Sequence, residues 1–191
     1  MKNVAIFAGI LALAGPLSIA QTSTWTSDPV HSEVDFSVLH MSVSKVHGRF
    51  GSVAATIVYN QADVTKSTVT ATIGVATLDT GVPGRDQDVK GSSFFDAANF
   101  PSATFISTQV SKNGDHLTVN GNLTLHGVTK PVVLDVQGPT GPATGMDNKP
   151  HAGFSATTTI SRTAFNIGNK VPAAAVGDDI KLGIELEVVK Q

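Results

Sequence analysis

Residues 180–188 read Ile180-Lys181-Leu182-Gly183-Ile184-Glu185-Leu186-Glu187-Val188. Every second residue is a branched aliphatic, and those between are charged or glycine. Successive side chains of an extended chain point to opposite faces, so a period of two makes a strand with one apolar and one wet face. The same pattern recurs outward through the chain. Val34, Phe36 and Val38 alternate with Glu33, Asp35 and Ser37. Val69, Ala71, Ile73 and Val75 alternate with Thr68, Thr70 and Thr72. Comparable runs lie at 53–59, 103–110, 117–125, 132–136 and 154–160, which makes eight expected strands. More than a quarter of the 191 residues are Val, Thr or Ile, a composition that favours strands over helices.

The joints carry turn chemistry. Lys112-Asn113-Gly114-Asp115 predicts a hairpin, because Asn-Gly accepts the positive φ of a tight turn. Residues 126–131 read as a second reversal. Residues 138–145 read as a flexible Gly/Pro loop whose three glycines do not fit a dinucleotide fingerprint. Residues 79–101 are the one long interruption, with a short helical insertion expected around 84–99. The pattern is that of one all-β domain over residues 21–191. A sandwich and a closed barrel satisfy it equally.

Residues 1–20, MKNVAIFAGILALAGPLSIA, have a basic start at Lys2, an apolar run from Val4 to Ala14, and small residues at Ser18 and Ala20. This is the pattern of a cleavable signal peptide cut after Ala20. The run is too short for a spanning helix, which needs about 20 apolar residues. The periplasm is the expected destination, with outright secretion as the other. A formal net charge of −2, from 13 basic and 15 acidic residues, leaves no footprint for nucleic acid or an anionic membrane surface. The absence of Cys excludes disulfides, thiol catalysis and Cys-based zinc or iron–sulfur sites. The six histidines show no metal-ligand spacing, and no serine elbow or phosphate loop occurs, so no catalytic residue, metal or cofactor is assigned. One Trp and one Tyr are too few for the girdles of an outer-membrane barrel.

Several segments are more specific. Asp28-Pro29-Val30-His31-Ser32 precedes Val34, Phe36, Val38 and His40, then Gly48-Arg49-Phe50. Leu78-Asp79-Thr80 is followed by Arg85-Asp86, by Ser93-Phe94-Phe95-Asp96, and by Phe100-Pro101 with Phe105. Gly121-Asn122-Leu123-Thr124-Leu125-His126-Gly127-Val128-Thr129-Lys130 is the most diagnostic run, and Arg162, Phe165 and Ile167-Gly168 come last. In this order and spacing the chain resembles the YceI-like family of exported bacterial proteins, also called the polyisoprenoid-binding or lipid-binding YceI-like domain. The resemblance implies an eight-stranded antiparallel lipocalin-like barrel around a long apolar channel. It implies a ligand that is a polyisoprenoid, an isoprenoid quinone or a fatty-acid-like amphiphile. Transient contact with a membrane or a membrane redox protein, and a homodimer, are the macromolecular partners it leaves open. The alternative is an enzyme that modifies such a lipid inside the barrel. Two departures from the family pattern, Val82-Pro83-Gly84 and the loop after Gly138, are expected to reshape the channel mouth.

If such a channel exists, alternation nominates its lining: Phe36, Val38, Ile57, Val69, Ile73, Phe105, Leu123, Leu125, Leu134, Phe154 and Phe165, with Phe94 and Phe95 near the opening. Burial is worth roughly 0.8 kcal/mol per CH₂, so one five-carbon unit contributes up to about 4 kcal/mol before ordering costs. Such contacts supply affinity readily and discriminate head groups poorly. The structure the lining needs is a pocket of a few hundred Å³. Arg85 and Asp86 are expected to form a local ion pair or cap, with the ordering of a lid or contact with a head group as the alternative. Arg162 is expected to be structural, with Asp96 as its counter-charge.

Overall fold

The computed structural model describes residues 22–191. The expected signal peptide and its cleavage site lie outside these residues. The strands are β1 (Thr22–Ser27), β2 (Glu33–His40), β3 (Ser44–Phe50), β4 (Val53–Asn60), β5 (Thr68–Gly74), β6 (Ser102–Asn113), β7 (His116–Leu125), β8 (Val128–Thr144), β9 (Pro150–Ser161) and β10 (Val176–Lys190). All pairings are antiparallel, in the order β1-β4-β5-β6-β7-β8-β9-β10-β2-β3. β1 pairs with β4 on one side and with the end of β10 on the other, which closes the sheet on itself.

Ten segments make an eight-stranded barrel because two strands are broken in the middle. β1 and β2 lie end to end along β10: Ser27 faces Val188 and Glu33 faces Glu185. β3 and β4 lie end to end beside them, with a step at Gly51-Ser52. The break between β1 and β2 explains the Asp28–Ser32 motif. Asp28 Oδ1 accepts hydrogen bonds from the N–H groups of Val30 (2.8 Å) and His31 (3.2 Å). The buried Ser32 hydroxyl donates to the Glu187 carbonyl (3.1 Å) and accepts from the Glu187 N–H (3.3 Å), replacing the ladder bonds that the kink removes.

The eight expected strands are all present. Sequence alternation missed the two short halves, β1 and β3. In β3 the inward row is Val46, Gly48 and Phe50, and the glycine interrupts the apolar signal. Gly48 is required there: the Phe36 ring of β2 lies across it, and a Cβ would overlap that ring. The Gly114 hairpin is as expected, and the reversal expected over 126–131 is confined to residues 126–127, because β8 already begins at Val128. His126 (φ 51°) and Gly127 (φ 72°) both adopt positive φ, as a two-residue turn of this kind needs.

Two expectations are corrected. Residues 138–144 are not a loop; they continue β8, whose register against β9 shifts twice through them. They extend the barrel at the end opposite the 79–101 segment, so they do not shape the mouth. The helical insertion is also shorter than 84–99. A single helix, α1, spans Pro83–Lys90, with Pro83 in the first turn where its missing N–H costs nothing, and residues 91–99 are turns.

The apolar rows face inward and the polar rows outward, as on β10, where Lys181, Glu185 and Glu187 are on the outside. An outer-membrane barrel reverses this arrangement. No described helix is long and apolar enough to cross a membrane.

Candidate functional site

β3 pairs only with β2 along its length, apart from one bridge between Arg49 and Asp79. Its other edge is covered by residues 75–101 rather than by a strand. Val75 and Leu78 anchor this segment, each 1% exposed. Behind them α1 and the following turns bring Val89, Phe94 and Phe95 against the barrel interior. Phe36, Phe50 and Phe95 form an aromatic row, with centroids 5.6 Å and 5.7 Å apart.

Between this segment and the barrel wall lies a cavity of about 310 Å³. Its lining is almost wholly apolar. The polar lining residues are His40, Thr80, Arg85, Asp88 and Arg162. His40 and Asp88 are exposed, so the cavity meets solvent beside β2 and α1. A second cavity, of about 70 Å³, lies deeper in the barrel.

Of the expected lining residues, the structure brings Phe36, Val38, Ile73, Phe94, Phe95, Leu123 and Leu125 together around the larger cavity. Ile57, Val69, Leu134 and Phe154 line the smaller one. Phe105 and Phe165 line neither; they are core side chains, 6% and 2% exposed. The alternation argument missed Val46 and Phe50 because β3 was not recognised, and it missed Val89 and Ile167 because they sit on segments without period two; Val75 closed an alternating row and was not chosen. Val34, Ile160, Ile180 and Leu182 were legible as inward-facing and were not chosen.

The polar groups divide into occupied and available. Arg162 is 2% exposed and spends all five N–H groups on backbone carbonyls: Gly177 (3.0 Å), Ile167 (3.0 Å), Gly168 (2.6 Å), Val171 (2.7 Å) and Val176 (2.8 Å). Asp96 is not its partner, which corrects that expectation. Asp96 instead closes its own turn, accepting from Asn99 Nδ2. Arg162 therefore ties down the β9–β10 connection and has no donor left for a ligand.

Arg85 and Asp86 meet at Thr80 rather than each other. Arg85 donates from Nε to Thr80 Oγ1 (2.8 Å) and from Nη2 to the Thr80 carbonyl (2.9 Å). Asp86 Oδ1 accepts from the Thr80 hydroxyl and N–H, and these bonds hold its carboxyl below the usual carboxylate range. Nη1 of Arg85 makes no hydrogen bond among the described residues. Arg85 is thus a cation at the cavity edge with donors to spare.

Among the described residues, one group of side chains could approach a metal ion: Asp28, His31 and Glu187, whose ligand atoms lie within 4.8 Å of one another. It sits on the outer wall at the β1–β2 kink, away from both cavities, and Asp28 is already engaged there by backbone N–H groups.

Comparison with known proteins bears on this cavity. The model of the YceI-like domain matches residues 25–188. A UPF0312 protein of Yersinia pestis is 33% identical over 186 residues, covering 95% of this chain and 94% of its own. Among solved structures, Burkholderia cenocepacia BcnA superposes with a TM-score of 0.75 at 25% identity, covering 84% of this chain and 98% of its own. A polyisoprenoid binding domain from Saccharophagus degradans has the same fold, with a TM-score of 0.64 at 15% identity over 87% of this chain and 98% of its own.

Proposed function

Because the chain belongs to the YceI-like domain family, we propose that it is an exported binding protein that sequesters or carries an amphiphile with an isoprenoid tail. The observation that carries this reading is the cavity of about 310 Å³, apolar along its depth and polar only where it nears solvent or the β9–β10 connection. A pocket of this size is at the small end of the range for ligand sites. The tail lies against Phe36, Val38, Ile73, Phe94, Phe95, Leu123 and Leu125. The oxygen-bearing head, of quinone type, stays at the solvent end, where Arg85 and His40 offer donors. The polyisoprenoid-binding neighbour supports the ligand class.

Binding rather than catalysis is the favoured reading, because Thr80 is held between Arg85 and Asp86, and Arg162 is saturated by carbonyls. The periplasm is the compartment of this reading. Membrane contact belongs to it as well. The β2–β3 turn, next to the lining residues Val38, His40 and Val46, exposes Met41 (62%) and Val43 (85%).

The test is native mass spectrometry of protein purified from its own host, followed by organic extraction. The expected result is an added mass that moves into the organic phase as a prenylated compound. Protein that is repeatedly empty, and that binds neither farnesol nor a short-chain ubiquinone on titration, overturns the reading.

A further inference from the structure

The two cavities are stacked along the barrel: on β10, Leu182 lines the larger and Ile184, the next inward residue, the smaller, while β5, β6, β7 and β9 carry inward residues between the two that line neither. On β5, Ile73 lines the larger cavity, Ala71 lines neither and Val69 lines the smaller. On β7 the order is Leu123, Gly121, Val119; on β9 it is Ile160, Thr158, Ala156. On β6 it is Ala103, then Phe105 and Ser107, then Val110 beyond the bulge at 107–109. The intermediate layer is therefore a waist whose inward residues on β5, β7 and β9 are small: Ala71, Gly121 and Thr158. Phe105 is the aromatic side chain in it, on β6. Its ring lies over Gly121, where a Cβ would overlap it. A glycine that makes room for one ring, at a level where the walls on β5, β7 and β9 are small, places that ring across the bore.

We propose that Phe105 is the depth stop of the channel, closing the larger cavity from the smaller one and so setting the length of apolar tail that the barrel accepts. The inference rests on the tail-binding reading above and adds its length selectivity. From Val38 to Val34 the wall of the larger cavity runs about 13 Å along β2, or about 10 Å along the axis of a barrel whose strands tilt by about 40°. A tail that reaches the waist meets the Phe105 ring. Beyond it, the apolar lower cavity offers about 70 Å³ that only a longer tail could fill.

The experiment titrates geraniol, farnesol and geranylgeraniol into wild type, Phe105→Ala and Phe105→Leu. Wild type is expected to gain less than about threefold in affinity from farnesol to geranylgeraniol. Phe105→Ala is expected to gain at least about tenfold over the same step, since an added five-carbon unit then becomes buried. Phe105→Leu keeps most of the side-chain volume and is expected to fall between; it carries the test if Phe105→Ala does not fold. Trp25, the one tryptophan, packs at the lower end against Ile57 and Val188, and its fluorescence is expected to respond to geranylgeraniol in the variants only. The same farnesol-to-geranylgeraniol ratio in all three proteins overturns the depth stop, as does a wild-type affinity that climbs through the whole series. Failure of wild type to bind any of the three overturns the tail-binding reading itself, a different outcome from an unchanged ratio.

Discussion

Arg162 shows how a charged residue can be read correctly as structural and wrongly as paired. A buried cation needs its charge compensated, and a nearby carboxylate is the obvious guess from a sequence. The fold instead turns five carbonyls of residues 167–177 toward one guanidinium. Nothing in the sequence around Arg162 marks those carbonyls, because they belong to a connection whose shape the arginine itself helps to set. Arg162→Met should therefore cost about 3–5 kcal/mol, since several buried carbonyls lose their donors together. Arg162→Lys should recover little, because an ammonium has three donors and no planar fork. Urea denaturation of the three proteins measures both effects.

At the scale of elements, one imidazole ties the tip of the β8–β9 hairpin to β10, beside the ladder that already pairs β9 with β10. His151 Nδ1 lies 2.7 Å from Glu187 Oε1, and Nε2 lies 3.0 Å from Asp147 Oδ1. Both nitrogens donate only in the charged ring, and the bonds to Asp147 and then Glu187 raise the pKa of His151 above its usual value. Lys149 and Asp147 share the hairpin tip, where the Lys149 N–H and then His151 hold the Asp147 carboxyl below its usual range. Because the folded value is the higher one, the contribution of His151 is fully present below the unfolded pKa of about 6.5. It is lost as pH rises through the folded pKa. The stability difference between wild type and His151→Gln should shrink as pH rises above about 6.5, and an NMR titration of His151 should give a midpoint above that of a free histidine. The elements themselves were largely legible, since period-two rows name eight strands. The interrupted halves were not, because a kink at Asp28–Ser32 and a glycine at 48 break the period that reveals a strand.

For the whole molecule, the barrel is asymmetric. One end is filled by Trp25, Tyr59 and the one-turn helix Val64–Lys66, while the other opens beside α1. The open end also carries the exposed apolar side chains of the β2–β3 turn and Val82, which precedes α1. A carrier that collects a membrane-dissolved lipid needs its mouth to face the bilayer, and isolated apolar residues there supply weak, reversible contact. Met41→Ser together with Val43→Ser should lower cosedimentation with neutral phosphatidylcholine vesicles and slow the uptake of vesicle-borne farnesol. Affinity for farnesol in solution should change by less than about twofold, because neither side chain lines the cavity. Unchanged cosedimentation would remove the turn from the docking surface.

The sequence by itself determined that the chain forms strands, which face of each is apolar, and which family it resembles, because these depend on local period and on the order of short motifs. It also named seven side chains of the larger cavity. Only the tertiary structure decided that the strands close into a ring and that their common face divides into two cavities. It alone decided that Phe105 and Phe165 fill space where Phe36 and Phe95 border it. The reason is physical: alternation says that a side chain points inward, but whether it meets another side chain or a void depends on the strands across the barrel. That is a property of closure and of the 75–101 segment, which no single strand encodes.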